Sequence, residues 1–521
     1  LADRSQVRWA GNNHFDGTWI AGLQSKRAAQ SVHHPLTVTA VVMSLDGEYV
    51  AMVGVDVIGV LENRIRDAGD LLEADGFDRH RMLVSSSHAH SSADSVGIWG
   101  MDEDLVSGAD PEFTASITAA IADSIAMAAS EMEAVSPTVG TATMDAPEFN
   151  GAPFGGTNPD SSVAEGINDI RDPLITAGQI LAIALDGDGG RVATIVNASG
   201  HPEVSGSDHS ELSADYPGVV RAYIEGTAGG TTLFVSGALG GMQSALGAPT
   251  PAVDEQGARV LDDEGNPEFL TESSWEFVNA WGVHVAQAAE RALTDSQAWD
   301  KIALERSEYL IPVDNTSFKL AFQIGLLDTP DSYVNQTSDC PDYGLNPDNF
   351  GCVPGVSYVL QLGPVTFGSA PGELFPELFW GVPDEPAMAD STLREGDARW
   401  VQVDPDCAGI DWEAVCVDTD AVTGNGCADA ACDGTCDCLH HHADPYVTSH
   451  NYASTIAEML PGTYKAPLGI TNAYCGYIVP TPDFSTYVSV LTDDGDHYEE
   501  TNACSQSFGD LVLGAFAEMA Q

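Results

Sequence analysis

The segment Arg81-Met82-Leu83-Val84-Ser85-Ser86-Ser87-His88-Ala89-His90-Ser91-Ser92 constrains this chain more than any other, because it runs an apolar strand into a His-x-His pair. Side chains alternate faces along a strand, so strand geometry carried through the motif aims His88 and His90 the same way. Two convergent imidazoles at the end of a buried strand begin a zinc site, which then needs further histidine or carboxylate ligands from elsewhere. A fold that meets this demand must bring distant strand ends together.

The pattern around the motif supports such a fold. Leu36 to Leu45 and Tyr49 to Val60 read as strands separated by an Asp46-Gly47 turn, and Glu62 to Glu73 carries helical spacing before the His-x-His strand. Glu112 to Glu133 and Glu272 to Leu293 read as helices, while Arg191 to Asn197, Thr231 to Ser236 and Val356 to Phe367 read as strands. Alternating strands and helices predict an α/β fold, a mixed β-sheet core flanked by helices. From 328 to 355 and from 404 to 446 the periodicity dissolves into Asp, Gly, Pro, Asn and Cys, as in disulfide-rich acidic loop insertions. With no internal repeat and no linker, the expectation is one domain over residues 1–521.

Charge narrows the partners. The chain carries 19 basic against 78 acidic residues, a net charge of −59, and only four lysines. A phosphate backbone or an anionic bilayer would be repelled, which argues against a nucleic-acid or anionic-membrane partner. An acidic, lysine-poor surface suits a salty medium, so a marine or halophilic source is expected, with a merely acidic secreted protein as the alternative. All ten cysteines lie between Cys340 and Cys504, six of them between 407 and 438. Disulfides in an oxidising compartment are the favoured reading; a second zinc cluster of Cys432, Cys436 and Cys438 with His440, His441 and His442 is the alternative. No uninterrupted apolar run approaches membrane-spanning length, and the chain opens at Leu1 without a charged-then-apolar leader, so export through a removed signal peptide is expected.

Further ligands have specific candidates. Val192-Ala193-Thr194-Ile195-Val196-Asn197-Ala198-Ser199-Gly200-His201-Pro202 again runs a strand into a histidine at a Gly/Pro corner. Sites in open α/β sheets gather beyond the carboxyl ends of strands, so two strands that each end in histidine reinforce one another. Glu373 follows a strand and a Pro371-Gly372 corner in the same way, and Tyr474 and Tyr477 follow Leu468 to Ala473. His33, His34 and His209 read as surface or hydrogen-bonded histidines. Asp56, a charge in an apolar strand, reads either as a structural acceptor or as support for a metal ligand, with support favoured.

Several of these segments together resemble the catalytic region of the neutral ceramidase family. They are Trp19-Ile20-Ala21-Gly22-Leu23, His34-Pro35-Leu36, Val55-Asp56-Val57-Ile58-Gly59, Ser86-Ser87-His88-Ala89-His90-Ser91 and Leu212-Ser213-Ala214-Asp215-Tyr216-Pro217-Gly218. Pro371-Gly372-Glu373 and Asn472-Ala473-Tyr474-Cys475-Gly476-Tyr477 follow in the family's order, so the likeness spans roughly residues 20 to 510.

The resemblance implies one zinc ion held by His88, His201, Glu373 and Tyr477, with His90 as acid/base and Tyr498 near the substrate carbonyl. Zinc in a mixed N/O shell lowers the pKa of bound water toward ~7 and makes it a usable nucleophile. The implied reaction is therefore hydrolysis of an amide in a ceramide-like N-acyl substrate, with esters and other amides as the alternative, or a binding protein that has lost turnover. The matching segments also place Gly240, Gly241, Gln243 and Asn150 on the substrate side. There the chain departs from the family: Gly241 stands for an acidic residue, Gln243 for a serine, and Asn150-Gly151-Ala152-Pro153 lacks the family's arginine. The chain stops at Gln521, where ceramidases continue into an immunoglobulin-like domain, so that module is expected to be absent. The aspartates from Asp418-Thr419-Asp420 to Asp433 offer hard oxygens for calcium, but their spacing fits no EF-hand and a solvated acidic loop is favoured.

Overall fold

The computed structural model describes residues 18–520 apart from 74–75, 101–106, 144–161, 165–166, 170–176, 242–243, 247, 297–298, 324–326, 328–350, 382–453, 482–483 and 485–497. The expected architecture is present: mixed sheets flanked by helices. Strands β1 (Val38–Leu45) and β2 (Glu48–Val55) form a hairpin across Asp46 and Gly47, both at positive φ, the conformation an Asp-Gly turn supplies most readily. Six consecutive residues of each strand are buried, so this sheet lies at the centre rather than on the surface.

Helix α1 (Glu62–Glu73) buries Ile65, Ala68, Gly69 and Leu72 at helical spacing and returns the chain to β3 (Met82–Ser86), which pairs parallel to β2. Helix α2 (Pro111–Ser130) starts where the Asp110 carboxylate accepts from the Glu112 and Phe113 amides and Pro111 occupies the first turn. Among the described residues α2 alone is long and apolar enough to cross a membrane, but half of it is buried and Phe113, Ile117, Ile121 and Ile125 join the central core. We read it as a core helix.

A second sheet runs in the order β7, β6, β5, β4, from β4 (Ser136–Thr143), β5 (Gln179–Gly187), β6 (Gly190–Ala198) and β7 (Thr231–Ser236). Only β6 and β7 are parallel, and the crossover between them is α3 (Asp215–Thr227). Helix α4 (Trp275–Ala292), capped by Ser274, packs with α3 in an apolar cluster containing Tyr216, Phe277 and Trp281. A third sheet joins β8 (Ile302–Pro312), β9 (Cys352–Leu362), β10 (Val365–Ser369) and β12 (Tyr464–Leu468), with a short parallel pair formed by β11 (Glu373–Leu374) and β13 (Tyr477–Ile478).

Three expectations change. The single strand expected over Val356 to Phe367 is two strands, because Gly363 at positive φ followed by Pro364 turns β9 back as β10. The strand expected to reach Val60 stops at Val55, where Asp56 turns aside to Thr37 and Arg221. The insertion expected over 328 to 355 ends earlier, since Cys352 to Gly355 already pair in β9; residues 328–350 and the whole of 404–446, with their calcium and zinc readings, lie outside the described residues. Disulfide bonding is present: Cys475 bonds Cys504, and Cys352 is also disulfide-bonded.

The sheets meet at their strand ends. The Ser236 hydroxyl, at the end of β7, donates to the Ser86 carbonyl at 2.8 Å, and the Ser86 amide donates to the Ile470 carbonyl at 3.1 Å. Asn472 accepts from the Val84 amide at 2.6 Å and donates to the Met82 carbonyl at 2.9 Å, fastening the segment after β12 along β3. The carboxyl ends of β3, β6, β10 and β12 therefore gather in one place.

Candidate metal centre

Each of those strand ends delivers a polar side chain to the same buried volume. His88 follows β3, His201 follows β6, Glu373 follows β10, and Tyr474 and Tyr477 follow β12. All but the half-buried Tyr474 are buried, in a wall that includes Phe375 and Tyr477. The Glu373 Oε2 atom lies 3.1 Å from His201 Nε2 and 3.5 Å from His88 Nε2, and the Tyr477 hydroxyl lies 3.4 Å from His201 Nε2. Donors held ~2.1 Å from a tetrahedral zinc ion sit about 3.4 Å from one another, so these spacings fit such an ion.

The two imidazoles converge by a different route from alternation along a strand. Strand β3 ends at Ser86, and His88 takes a left-handed conformation at φ 67°. Its amide donates to the Val57 carbonyl at 3.0 Å and its Nδ1 bonds the Ile58 carbonyl at 2.6 Å, which fixes the tautomer and leaves Nε2 facing Glu373. Backbone strain of this kind costs on the order of 1 kcal/mol and persists only where surrounding bonds enforce it. His88, His90 and His201 bring ring nitrogens within 4.8 Å of one another, a grouping that can hold a metal ion.

His90 sits one step outside the tighter set. Neither of its ring nitrogens has an aligned hydrogen bond, although Nδ1 lies 3.3 Å from Glu203 Oε2. Burial pushes the imidazole down to about 4, so it is neutral at neutral pH. Burial alone would raise the Glu203 carboxyl, but His90, His201 and the Ser244 hydroxyl outweigh it and hold it at about 2. Glu373 follows the same pattern: burial pushes up, and the His88 and His201 imidazoles pull it below the ordinary carboxylate range. Burial and the Glu373 charge push the Tyr474 and Tyr477 phenols well above 10, so both carry their protons.

Two glycines let the rings approach. A Cβ on Gly22, already at φ 74°, would stand 2.4 Å from His90 Cγ, and one on Gly59 would stand 2.6 Å from the Tyr474 ring. Arg27 donates from Nη2 to the carbonyls of Ala21, Gly22 and His90, tying the first of these segments to the histidine loop.

Tyr498 opens helix α5 (Tyr498–Thr501), is 38% exposed, and has its ring centroid 6.0 Å from that of Tyr477, at the outer edge of the cluster. Gly240 directs its amide to the Leu374 carbonyl at 2.9 Å, beside Glu373, and Gly241 turns at φ 77°. Asn150 and Gln243 lie outside the described residues. The buried Ser244 accepts from the Leu246 amide and donates its hydroxyl hydrogen to the Glu203 carboxylate. Asp56 is a structural acceptor and does not support a ligand: Arg221 donates to both its oxygens, at 2.9 and 2.5 Å, and Thr37 adds two more bonds. Of the surface histidines, His34 bonds Ser213, His209 bonds Ser91 and His33 stacks on Trp275.

Sequence reasoning missed Glu203 and left Tyr474 without a role. Glu203 stands two residues beyond His201, and Tyr474 donates to Glu373 Oε1 at 2.9 Å, occupying the oxygen that faces away from the imidazoles.

Compared by sequence, the chain matches no family model and no curated protein. Compared by structure, it is similar to the neutral ceramidase from Pseudomonas aeruginosa, with a TM-score of 0.55 and 12% identity over 97% of this chain and 72% of that one. A ceramidase complexed with C2 gives a TM-score of 0.55 and 12% identity over 96% of this chain and 72% of that chain. The chain thus has a ceramidase-like fold.

Proposed function

We propose that this chain is a zinc-dependent hydrolase that cleaves the amide bond of an N-acyl, ceramide-like substrate. The observation that carries the reading is the donor spacing of 3.1 to 3.5 Å among His88, His201, Glu373 and Tyr477, contributed by four separate strand ends. Two imidazoles, a carboxylate and a phenol make a nitrogen/oxygen set suited to zinc. A zinc ion held there polarises a carbonyl and acidifies water, which is the chemistry the site needs from it.

The remaining work falls to side chains. His90 is neutral and buried, with Nδ1 3.3 Å from the Glu203 carboxylate, so its Nε2 can take a proton from the attacking water and return it to the departing amine. In that exchange a carbon–oxygen bond forms, the carbon–nitrogen bond breaks, and the amine leaves with the transferred proton. Tyr498, at the exposed edge, is placed to donate to the carbonyl oxygen as charge develops. The ceramidase-like fold supports the amide reading. The missing arginine near Asn150 and the Gln243 substitution favour an N-acyl compound with a headgroup other than ceramide's. Gly240, Gly241, Gln243 and Asn150 are assigned to its binding, and the Cys475–Cys504 disulfide supports secretion.

The test measures metal content and hydrolysis of a fluorogenic N-acyl substrate before and after His88→Ala. One equivalent of zinc and a fall in kcat/KM of at least a thousandfold in the variant are expected. Zinc without turnover on a panel of amides and esters would favour a binding protein.

A further inference from the structure

The geometry points to a second ligand site, for a small organic monocarboxylate, at the other end of β3 from the metal centre. A cavity of about 490 Å³ opens there, with Met82, the first residue of β3, in its wall. Its volume lies in the range of small-molecule pockets. The strand between it and His88 spans roughly 13 Å, so the two sites do not overlap.

Basic side chains gather at this cavity: Arg66, Arg79 and Arg306 line it together with His80 and with two carboxylates, Glu62 and Glu308. Glu62 pairs with Arg66, and Asp70 and Glu73 pair with Arg79. Arg306 is the anchor. Its Nη1 donates to His80 Nδ1 at 2.7 Å and also reaches the carboxylate of Glu308, two residues along the same strand. The Glu308 side chain is 62% exposed, so water competes with this ion pair and it holds only weakly. Glu308 therefore stands where a ligand carboxylate would dock and can swing into solvent to admit one. Beneath it the buried Tyr358 hydroxyl bonds both Arg306 and Asn472.

The rest of the wall specifies the body of the ligand. Ile65 and Met82 are buried apolar floor, and Val356 continues it from β9. A bare inorganic anion would leave that floor unused, and a neutral alcohol would leave the guanidinium unmatched. A single carboxylate on a short hydrocarbon satisfies both, while a multiply charged anion would meet the repulsion of a −59 envelope.

The experiment is calorimetric titration of sodium octanoate into the full chain at fixed ionic strength, with 1-octanol and sodium sulfate as comparison probes. One saturable octanoate site is expected, weakened at least tenfold in Arg306→Gln, unchanged in His88→Ala, and at least tenfold tighter than either comparison probe. Should Arg306→Gln fail to fold, Glu308→Gln, which releases the guanidinium, is expected to tighten octanoate threefold or more. No saturable heat, binding that survives Arg306→Gln, binding that vanishes in His88→Ala, sulfate or octanol binding as tight as octanoate, or an unchanged Glu308→Gln would each overturn the site.

Discussion

At the scale of single residues, the candidate metal centre depends on atoms that are missing as much as on those present. Gly22 leaves the space that the His90 ring fills, and its φ of 74° suits no other residue well. Gly22→Ala should therefore displace His90, lowering kcat at least tenfold and stability by about 1–2 kcal/mol, as read from steady-state kinetics and urea melts. An unchanged kcat would remove His90 from the proton path. Asp314 gives a pH prediction. Burial raises its carboxyl to about 6, above the ~3.9 of an unfolded chain, so the folded state holds that proton more tightly. Its contribution is full below pH ~4 and lost as pH rises through 6. Asp314→Asn should gain stability relative to the parent across that window, on the order of 2 kcal/mol, in melts taken at pH 4 and pH 7. The histidines, Glu373 and Tyr477 were legible in the sequence because each follows a strand. Glu203 was not, because a buried carboxylate acting on a ring 113 positions earlier leaves no local periodicity.

At the scale of elements, the strongest sequence signals were those with a turn or cap of defined chemistry. Asp46-Gly47 bounded its hairpin, and Glu62–Glu73 and Thr231–Ser236 fall where the apolar spacing put them. Strand β8 escaped notice because Glu305, Arg306 and Glu308 interrupt its apolar pattern on the solvent side, so it reads as polar loop. The β9–β10 turn was hidden by apolar residues on both sides of Gly363-Pro364. The Cys475–Cys504 bridge spans 29 residues and ties the Tyr474 and Tyr477 segment to the chain just before helix α6 (Phe508–Met519). Loop-closure entropy for that length is worth about 3–4 kcal/mol. Cys504→Ser should lower stability by that order and weaken zinc binding in a chelator competition. Full metal affinity in that variant would show that the tyrosine segment is held by packing alone.

At the scale of the whole molecule, net charge governs behaviour that no single contact explains. With 78 acidic residues against 19 basic ones, self-repulsion opposes compaction, and added salt screens it over a Debye length of ~10 Å at 0.1 M. The melting temperature should rise by about 5 °C or more between 0.05 and 1 M sodium chloride, in calorimetric scans at constant pH. A flat response would mean that local pairs already neutralise the surface. The α/β class was legible because strands and helices alternate in the chain, but the meeting of three sheets at one point was not, since it rests on hydrogen bonds such as Ser236 to Ser86 that join distant segments.

That convergence has a consequence for biosynthesis. The proposed ligand set spans positions 88 to 477, so a ribosome would have to deliver everything from His88 to Tyr477 before the last proposed donor emerges. Until then the nascent protein offers an incoming ion at most three of the four donors. On that proposal metal capture would mark the end of maturation, and a cell short of the ion would accumulate protein whose strand ends remain unlocked.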